Sequence, residues 1–466
     1  MILERLSVPI VLAPLAGGSS TPELTAAVSN AGGLGFVAAG YLTASALKER
    51  LDQARALTDA PLGVNVFVPG PPGDPAAVRA YAATLAEDAH GIDVGLGEAR
   101  YGDDDWAAKI DLLAAERVPV VSFTFGCPDG EVIGRLRRAG SEVWVTVTAP
   151  DEARQAYIAG CDVLVLQGIE AGGHRASFRD DPAGLGDGLG LLSLLQLVRA
   201  RADLPLVAAG GIITGGGIAA VLAAGASAAQ LGTAFMRTPE AGTAEVDRQA
   251  LASDAPTALT RAFTGRLARG IRNRFLDRHT AQAPAAYPEV HFMTAPLRRA
   301  ARAAGDPGLV NLWAGQAHEL GRQVPAGQLV RELAAEARTA SRQASDRLSA
   351  TGDLSFSVRC GQRAECLARL GLWQHADYEG AAHARGPIHR PSGLRLPAAI
   401  RRRRRPAAGL RGSRPRRRRA GAAAARRAEL VLPVPQGDAG ASGRGTAGHR
   451  GGPGRVRPVG QAGRGE

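Results

Sequence analysis

Val163-Leu-Val-Leu-Gln-Gly-Ile-Glu-Ala-Gly-Gly-His-Arg-Ala-Ser-Phe178 decides how this chain is read. Its first four residues are an unbroken apolar run. That is too short for a helix and fits a strand buried on both faces. Gln167 sets an amide at the carboxyl end of the run. Gly172 and Gly173 then let the backbone approach a ligand closely, and His174 adds a side chain that can carry or accept a proton near neutrality. In parallel α/β folds ligands sit at the carboxyl ends of the strands. A polar turn with a hydrogen-bonded histidine is the plainer alternative for Gly-Gly-His alone.

The surrounding chain supplies the context. Apolar runs at residues 10–15, 34–39, 62–68, 118–125, 143–148, 163–167, 206–209 and 228–235 alternate with helix-like segments. Thr21 and Thr43 are placed to cap two of those helices, with Pro22 at a first helical position. Residues 75–89 and 105–117 give one helix more than the alternation needs, which reads as an insertion. Parallel strands need helical crossovers, so eight such units predict a (β/α)8 TIM barrel over residues 1–240. An open doubly wound sheet is the other architecture. Residues 241–344 read as a mainly helical extension packed on the barrel, with amphipathic helices at 310–320 and 328–340. The basic piece at 259–275 either folds back over the barrel mouth or forms a solvated charged face.

Charge divides the chain. Residues 351–466 hold 24 Arg against 7 acidic residues, a net of +17; the whole chain is +12, so residues 1–350 carry −5. Arginine runs within Ala, Gly and Pro bury too little apolar surface to offset ordering, so 345–466 is predicted to be a disordered basic tail. Such runs attract nucleic acid electrostatically, but few aromatics interleave to stack bases. A nucleic-acid-binding protein acting through this tail is therefore a weaker alternative. Cys127, Cys161, Cys360 and Cys366 form no C-x-x-C pair, so neither a zinc site nor a disulfide framework is indicated, and no metal is expected. No run of about 20 apolar residues would span a membrane. The N-terminus does not read as a signal peptide, and a cytoplasmic location is expected.

A barrel often holds phosphate with the loops after its seventh and eighth strands. Here those places read Ala209-Gly-Gly-Ile and Gln230-Leu-Gly-Thr-Ala-Phe. Gly210, Gly211 and Gly232 expose backbone N–H groups and Thr233 adds a hydroxyl. Asn65, in Gly63-Val-Asn-Val-Phe, is a polar residue in an apolar strand and needs a partner. It could bond a flavin ring or cap a loop.

Together with Ala13-Pro-Leu-Ala-Gly-Gly, Ser20-Thr-Pro-Glu-Leu and Gly32-Gly-Leu-Gly-Phe, these stretches resemble the nitronate monooxygenases, formerly 2-nitropropane dioxygenases. The similarity runs from about Pro9 to Ala340. Leu15 stands where many members have Met, and the tail has no counterpart. The resemblance implies FMN held by Asn65, Gln167, Gly172, Gly173, Gly210, Gly211, Gln230, Leu231, Gly232 and Thr233. It implies that His174 is the active-site base or hydrogen-bond donor. The implied reaction takes an alkyl nitronate, or a nitroalkane, with molecular oxygen to a carbonyl compound and nitrite. A flavin-dependent enoyl-ACP reductase resembles the same family in fold, and would need NAD(P)H and an acyl groove.

Overall fold

Eight of the apolar runs form strands whose two faces are both covered, by helices outside and by one another inside. The computed structural model describes residues 1–180 and 188–349. The strands in chain order are β1 Ile10–Leu12, β2 Gly35–Ala38, β3 Leu62–Phe67, β4 Val120–Thr124, β5 Glu142–Val147, β6 Val163–Gln167, β7 Gly173–His174, β8 Leu206–Ala209, β9 Ala228–Leu231, β10 Thr257–Thr260 and β11 Ala268–Ile271. All but β7, β10 and β11 run parallel in the order β1-β9-β8-β6-β5-β4-β3-β2. A parallel bridge between Val11 and Leu34 joins the two ends, so the barrel closes. Thr21 and Thr43 cap the helices Pro22–Asn30 and Ala44–Leu57 by accepting from Leu24 N and Ala46 N.

The strand period of two sorts the side chains. Leu62, Val64 and Val66 of β3 pack in the large outer core under the helices. The inward residues form a separate apolar floor that includes Phe36, Val120, Trp144, Val165 and Val207. Phe36 and Trp144 meet at 5.7 Å. Gly63 is obligatory there, because a Cβ would lie 2.5 Å from the Phe36 ring. Nearer the mouth the inward positions turn polar: Asn65, Ser122, Thr124, Thr146, Gln167 and Gln230.

The region after residue 240 is mainly helical, as expected, but it also holds strands that the sequence did not suggest. β10 and β11 form an antiparallel ribbon that adds β7 as its third strand. The basic piece thus folds back onto the loop after β6, and Arg261, Arg266 and Arg269 are buried. Residues 310–320 are not an amphipathic helix. Short 3-10 turns at Pro307–Leu309 and His318–Leu320 flank an extended stretch, and Ile271 N donates to Leu312 O at 2.8 Å. Its backbone is satisfied across the sheet rather than along a helix. The eighth barrel strand stops at Leu231, and Thr233–Phe235 turns into 3-10.

The insertion after β3 has a structural partner in this extension. It divides at Leu85 into Pro75–Thr84 and Ala86–Gly91, followed by Trp106–Ala115. Tyr81 Oη donates to Ala262 O at 2.7 Å, and Asp88 pairs with His279 at 2.6 Å. Val78, Tyr81, Phe263, Phe275, Val290 and Leu297 share one apolar cluster, apart from both barrel cores.

The last helix, Ala326–Ser349, runs past the boundary expected at 344. The remainder of the basic tail, from residue 350, lies outside the described residues, as do residues 181–187. Among the described residues no helix is long and apolar enough to cross a membrane.

Helix Ala326–Ser349 packs on helix Gly215–Ala223 through Gly215. A Cβ at Gly215 would lie 2.2 Å from Glu336 Cβ, whereas one at Gly216 would meet nothing closer than 3.8 Å. Gly215→Ala is expected to cost about 1–3 kcal/mol through overpacking. Gly216→Ala should be neutral or stabilising by up to about 1 kcal/mol. Urea unfolding of both variants checks this; equal midpoints would count against the close helix contact.

Candidate active site

A cavity opens at the carboxyl ends of the barrel strands, above the apolar floor. It offers about 260 Å³ to the centres of water-sized molecules, and Asn65, Gln167, His174, Gly211, Gln230 and Thr233 all reach it. Asn65 Nδ2 donates to Ser122 Oγ at 2.9 Å and Thr124 Oγ1 at 3.0 Å. Its amide nitrogen is therefore committed within the barrel, and Oδ1 is the atom free to meet a ligand. Gln230 is buried, and its Oε1 has no hydrogen-bond partner among the described residues. A buried orphan acceptor lining a cavity calls for a donor from whatever fills it.

Gln167 does something the sequence did not suggest. Its Nε2 donates to His174 O at 3.0 Å, and its Oε1 accepts from Arg175 Nη1 at 2.9 Å and Ala176 N at 3.0 Å. The strand-end amide thereby fixes the histidine loop. The loop is fixed from the other side as well, since Ala268 and Arg269 of β11 pair with His174 and Gly173. Gly173 has φ +73°, which favours glycine. At Gly172, which also lines the cavity, a Cβ would lie 2.4 Å from the Ala314 carbonyl carbon, so this glycine admits the neighbouring Ala314–Gly315 backbone.

His174 Nε2 lies 2.9 Å from Thr264 Oγ1. Phe125, Tyr287 and Trp313 surround the ring at centroid distances of 5.7, 5.7 and 5.5 Å. Burial, then the positive charges of Arg266 and Arg298, push the imidazole pKa down to about 3. The ring keeps solvent contact only through the cavity, and it is neutral at pH 7. Thr264 has one hydroxyl proton, and Arg266 O also accepts from it at 3.3 Å. When that proton goes to Arg266 O, Thr264 Oγ1 accepts Nε2–H from the histidine. Nδ1, which has no protein partner among the described residues, is then a bare base.

The two expected phosphate segments meet at the same cavity. Gly210 and Gly211 have φ of +115° and +67°, and the Gly211 amide has no protein acceptor among the described residues. Thr233 Oγ1 accepts from Gly315 N at 3.0 Å, which leaves its own O–H to donate. Leu231 differs: its side chain is buried in the outer core and only its backbone faces this region.

Other cavity residues carried no motif. Tyr41 stacks on His291 at 4.1 Å with an interplanar angle of 3°. Burial raises the Tyr41 hydroxyl to about 12 and, with Arg298, lowers His291 to about 2, so both are neutral. Arg298, Asn311 and Trp313 complete the outer wall. A signal was present in the helix Glu289–Ala304: His291, Thr294 and Arg298 are spaced to share one face.

A barrel whose strand ends carry these segments, in this order, can be compared with known proteins. A family model described as nitronate monooxygenase matches residues 2–336. This chain belongs to the nitronate monooxygenase family. It is 41% identical over 348 residues to the nitronate monooxygenase of Paraburkholderia phytofirmans, covering 72% of this chain and 93% of that protein. The crystal structure of nitroalkane oxidase from Streptomyces ansochromogenes is 53% identical, with 74% of this chain and 99% of that chain covered and a TM-score of 0.72. FabK from Thermotoga maritima is 26% identical, covering 75% and 97%, with a TM-score of 0.58. The family is one of flavin-dependent oxidoreductases, and this chain is an enzyme of that class. The cavity fits a flavin: the orphan Gln230 Oε1 suits an imide N–H, and the positive-φ glycines leave room for a phosphate beside free amides.

The depressed histidines make stability depend on pH with a definite sign. Their folded pKa values lie below the unfolded value near 6.5, so below that pH the unfolded chain binds more protons. Stability is complete above about pH 6.5 and falls as the pH drops toward 3. His174→Gln removes one such group, so its urea midpoint should fall less steeply between pH 7 and pH 5 than that of the wild type. Parallel slopes would place the imidazole outside the buried, neutral state described.

Proposed function

We propose that the enzyme uses FMN and molecular oxygen to oxidise alkyl nitronates, and nitroalkanes once an α-proton is removed, to a carbonyl compound and nitrite. The observation that carries this reading is His174: a neutral imidazole on a doubly braced loop, with Nδ1 open to the cavity. Family membership supplies the redox class. FMN is preferred to FAD because the phosphate-type segments close one end of a barrel and no Gly-x-Gly-x-x-Gly turn opens the chain. Gln230 Oε1 and Asn65 Oδ1 are the atoms to meet the ring. The Gly211 amide, the Gly210 and Gly232 backbone and the Thr233 hydroxyl are those to hold the phosphate.

Bound FMN supplies the electron acceptance that no side chain offers. The chain's own work is positioning and proton handling. His174 Nδ1 accepts the α-proton of a neutral nitroalkane, and Thr264 holds the opposite nitrogen in the matching tautomer. For a preformed nitronate the proton has already gone, and the ring only orients. The aromatic walls of Phe125, Tyr287 and Trp313 keep bulk water from this side.

Purified enzyme should show the visible bands of oxidised flavin, release FMN on heating and bleach with a nitronate under nitrogen. It should not oxidise NADPH with a crotonyl thioester. FAD in the released fraction, or thioester-dependent NADPH oxidation, would overturn the corresponding part of the reading.

His174→Asn keeps a polar side chain but removes the basic nitrogen. A positioned base contributes about 10²–10⁴ in rate. The variant should lose that much kcat/KM with nitroalkanes and far less with nitronates, with FMN still bound. Equal small losses on both substrates would make His174 structural.

A further inference from the structure

Arg298 carries a charge that the chemistry above leaves unused. Its side chain is only 7% exposed and lines the cavity wall. Nε donates to Thr294 Oγ1 at 3.1 Å, Nη2 to His291 O at 2.7 Å, Nη1 reaches Asn311 Oδ1 at 3.5 Å, and Nη2 also lies 3.5 Å from His291 Nδ1. All four partners are neutral, and of the five N–H groups of a guanidinium one, on Nη1, has no partner among the described residues, while the two 3.5 Å contacts are weak. Among the described residues no carboxylate forms an ion pair with it.

The other cations near the cavity are accounted for. Arg302 is held by both oxygens of Asp247, at 3.0 and 3.3 Å. Arg266 lies with its guanidinium 3.9 Å over the Phe125 ring and donates to the carbonyls of Arg175 and Ser177. His174 and His291 are neutral. Among the described residues, Arg298 is therefore a cavity-lining arginine held only by neutral partners, whereas Arg302 has a carboxylate. A buried charge without a charged partner is costly, and an arriving anion removes that cost.

We propose that Arg298 binds the negative charge of the substrate, taking a nitronate oxygen on the Nη1 N–H that its protein partners leave open. This rests on the nitronate reading above and assigns to Arg298 the charge recognition that a neutral His174 cannot supply. The guanidinium is preset by Thr294 and His291, and an oxyanion oxygen matches its open N–H. The site is thus selective for small oxyanions over neutral nitroalkanes, whatever the later chemistry.

The test uses the flavin-loaded enzyme, Arg298→Gln and Arg298→Lys, with propyl-1-nitronate, neutral 1-nitropropane and nitrate as an inert planar oxyanion. Nitrate binding is read from the flavin spectrum. A hydrogen bond to a charged group supports a loss of about 10–100-fold. Arg298→Gln should raise the nitronate KM and the nitrate Kd by about that factor, with flavin content and the nitroalkane KM within about 3-fold of wild type. Arg298→Lys should recover part of the loss.

Equal losses for nitronate and nitroalkane, or an unchanged nitrate Kd, would overturn the proposal. So would loss of flavin from both variants, which would assign Arg298 to the cofactor. If Arg298→Gln does not fold, the lysine variant and nitrate competition on the wild type still decide: a wild type that nitrate does not inhibit competitively refutes it. A wild type that binds nitrate through Arg298 but does not bleach with nitronate instead defeats only the nitronate reading.

Discussion

Two residues of antiparallel ladder, Gly173 with Arg269 and His174 with Ala268, connect the barrel to the segment folded over its mouth. Everything that distinguishes this site follows from that short pairing. It holds His174 in place against Thr264 and brings the arginines of the ribbon beside it. It also draws the 310–315 stretch against the loop, where Gly172 and Ala314 touch without a side chain between them. The Gln167 amide closes the arrangement from below by bonding His174 O and Ala176 N of the same loop.

The electrostatic character of the cavity comes from this enclosure. Desolvation keeps both nearby histidines uncharged, helped by the buried Arg266 and Arg298 at His174 and by Arg298 at His291. A cavity that is positive through arginine and neutral at histidine separates two tasks. Charge is met by a group that does not titrate near neutrality, and proton transfer falls to one that can change state.

The barrel was legible in the chain because its signals are local. Short apolar runs such as 163–167 are bounded by caps and glycines, and eight of them at crossover spacing leave few architectures. The glycine segments after β8 and β9 were legible for the same reason. The helix expected at 310–320 was not there, since its apolar spacing was satisfied by pairing with β11, which only tertiary structure reveals. The ribbon at 257–271 was ambiguous because arginines that look solvated in sequence are buried by partners far along the chain. Arg298, Tyr41 and Trp313 belong to no motif. Tertiary structure alone brings them to one cavity, from the loop after β2 and from the extension.

The separate cluster shared by the insertion after β3 and the extension has an evolutionary consequence. The inner wall of the cavity is made of strand ends whose neighbours form the barrel's floor and outer core, so changes there disturb the whole fold. The outer wall is carried by elements that pack chiefly with the insertion after β3. Replacements among them are absorbed within a smaller unit, whose loosening leaves the eight-strand ladder intact. Selection can therefore retune which small molecules the mouth admits while the machinery beneath is inherited unchanged.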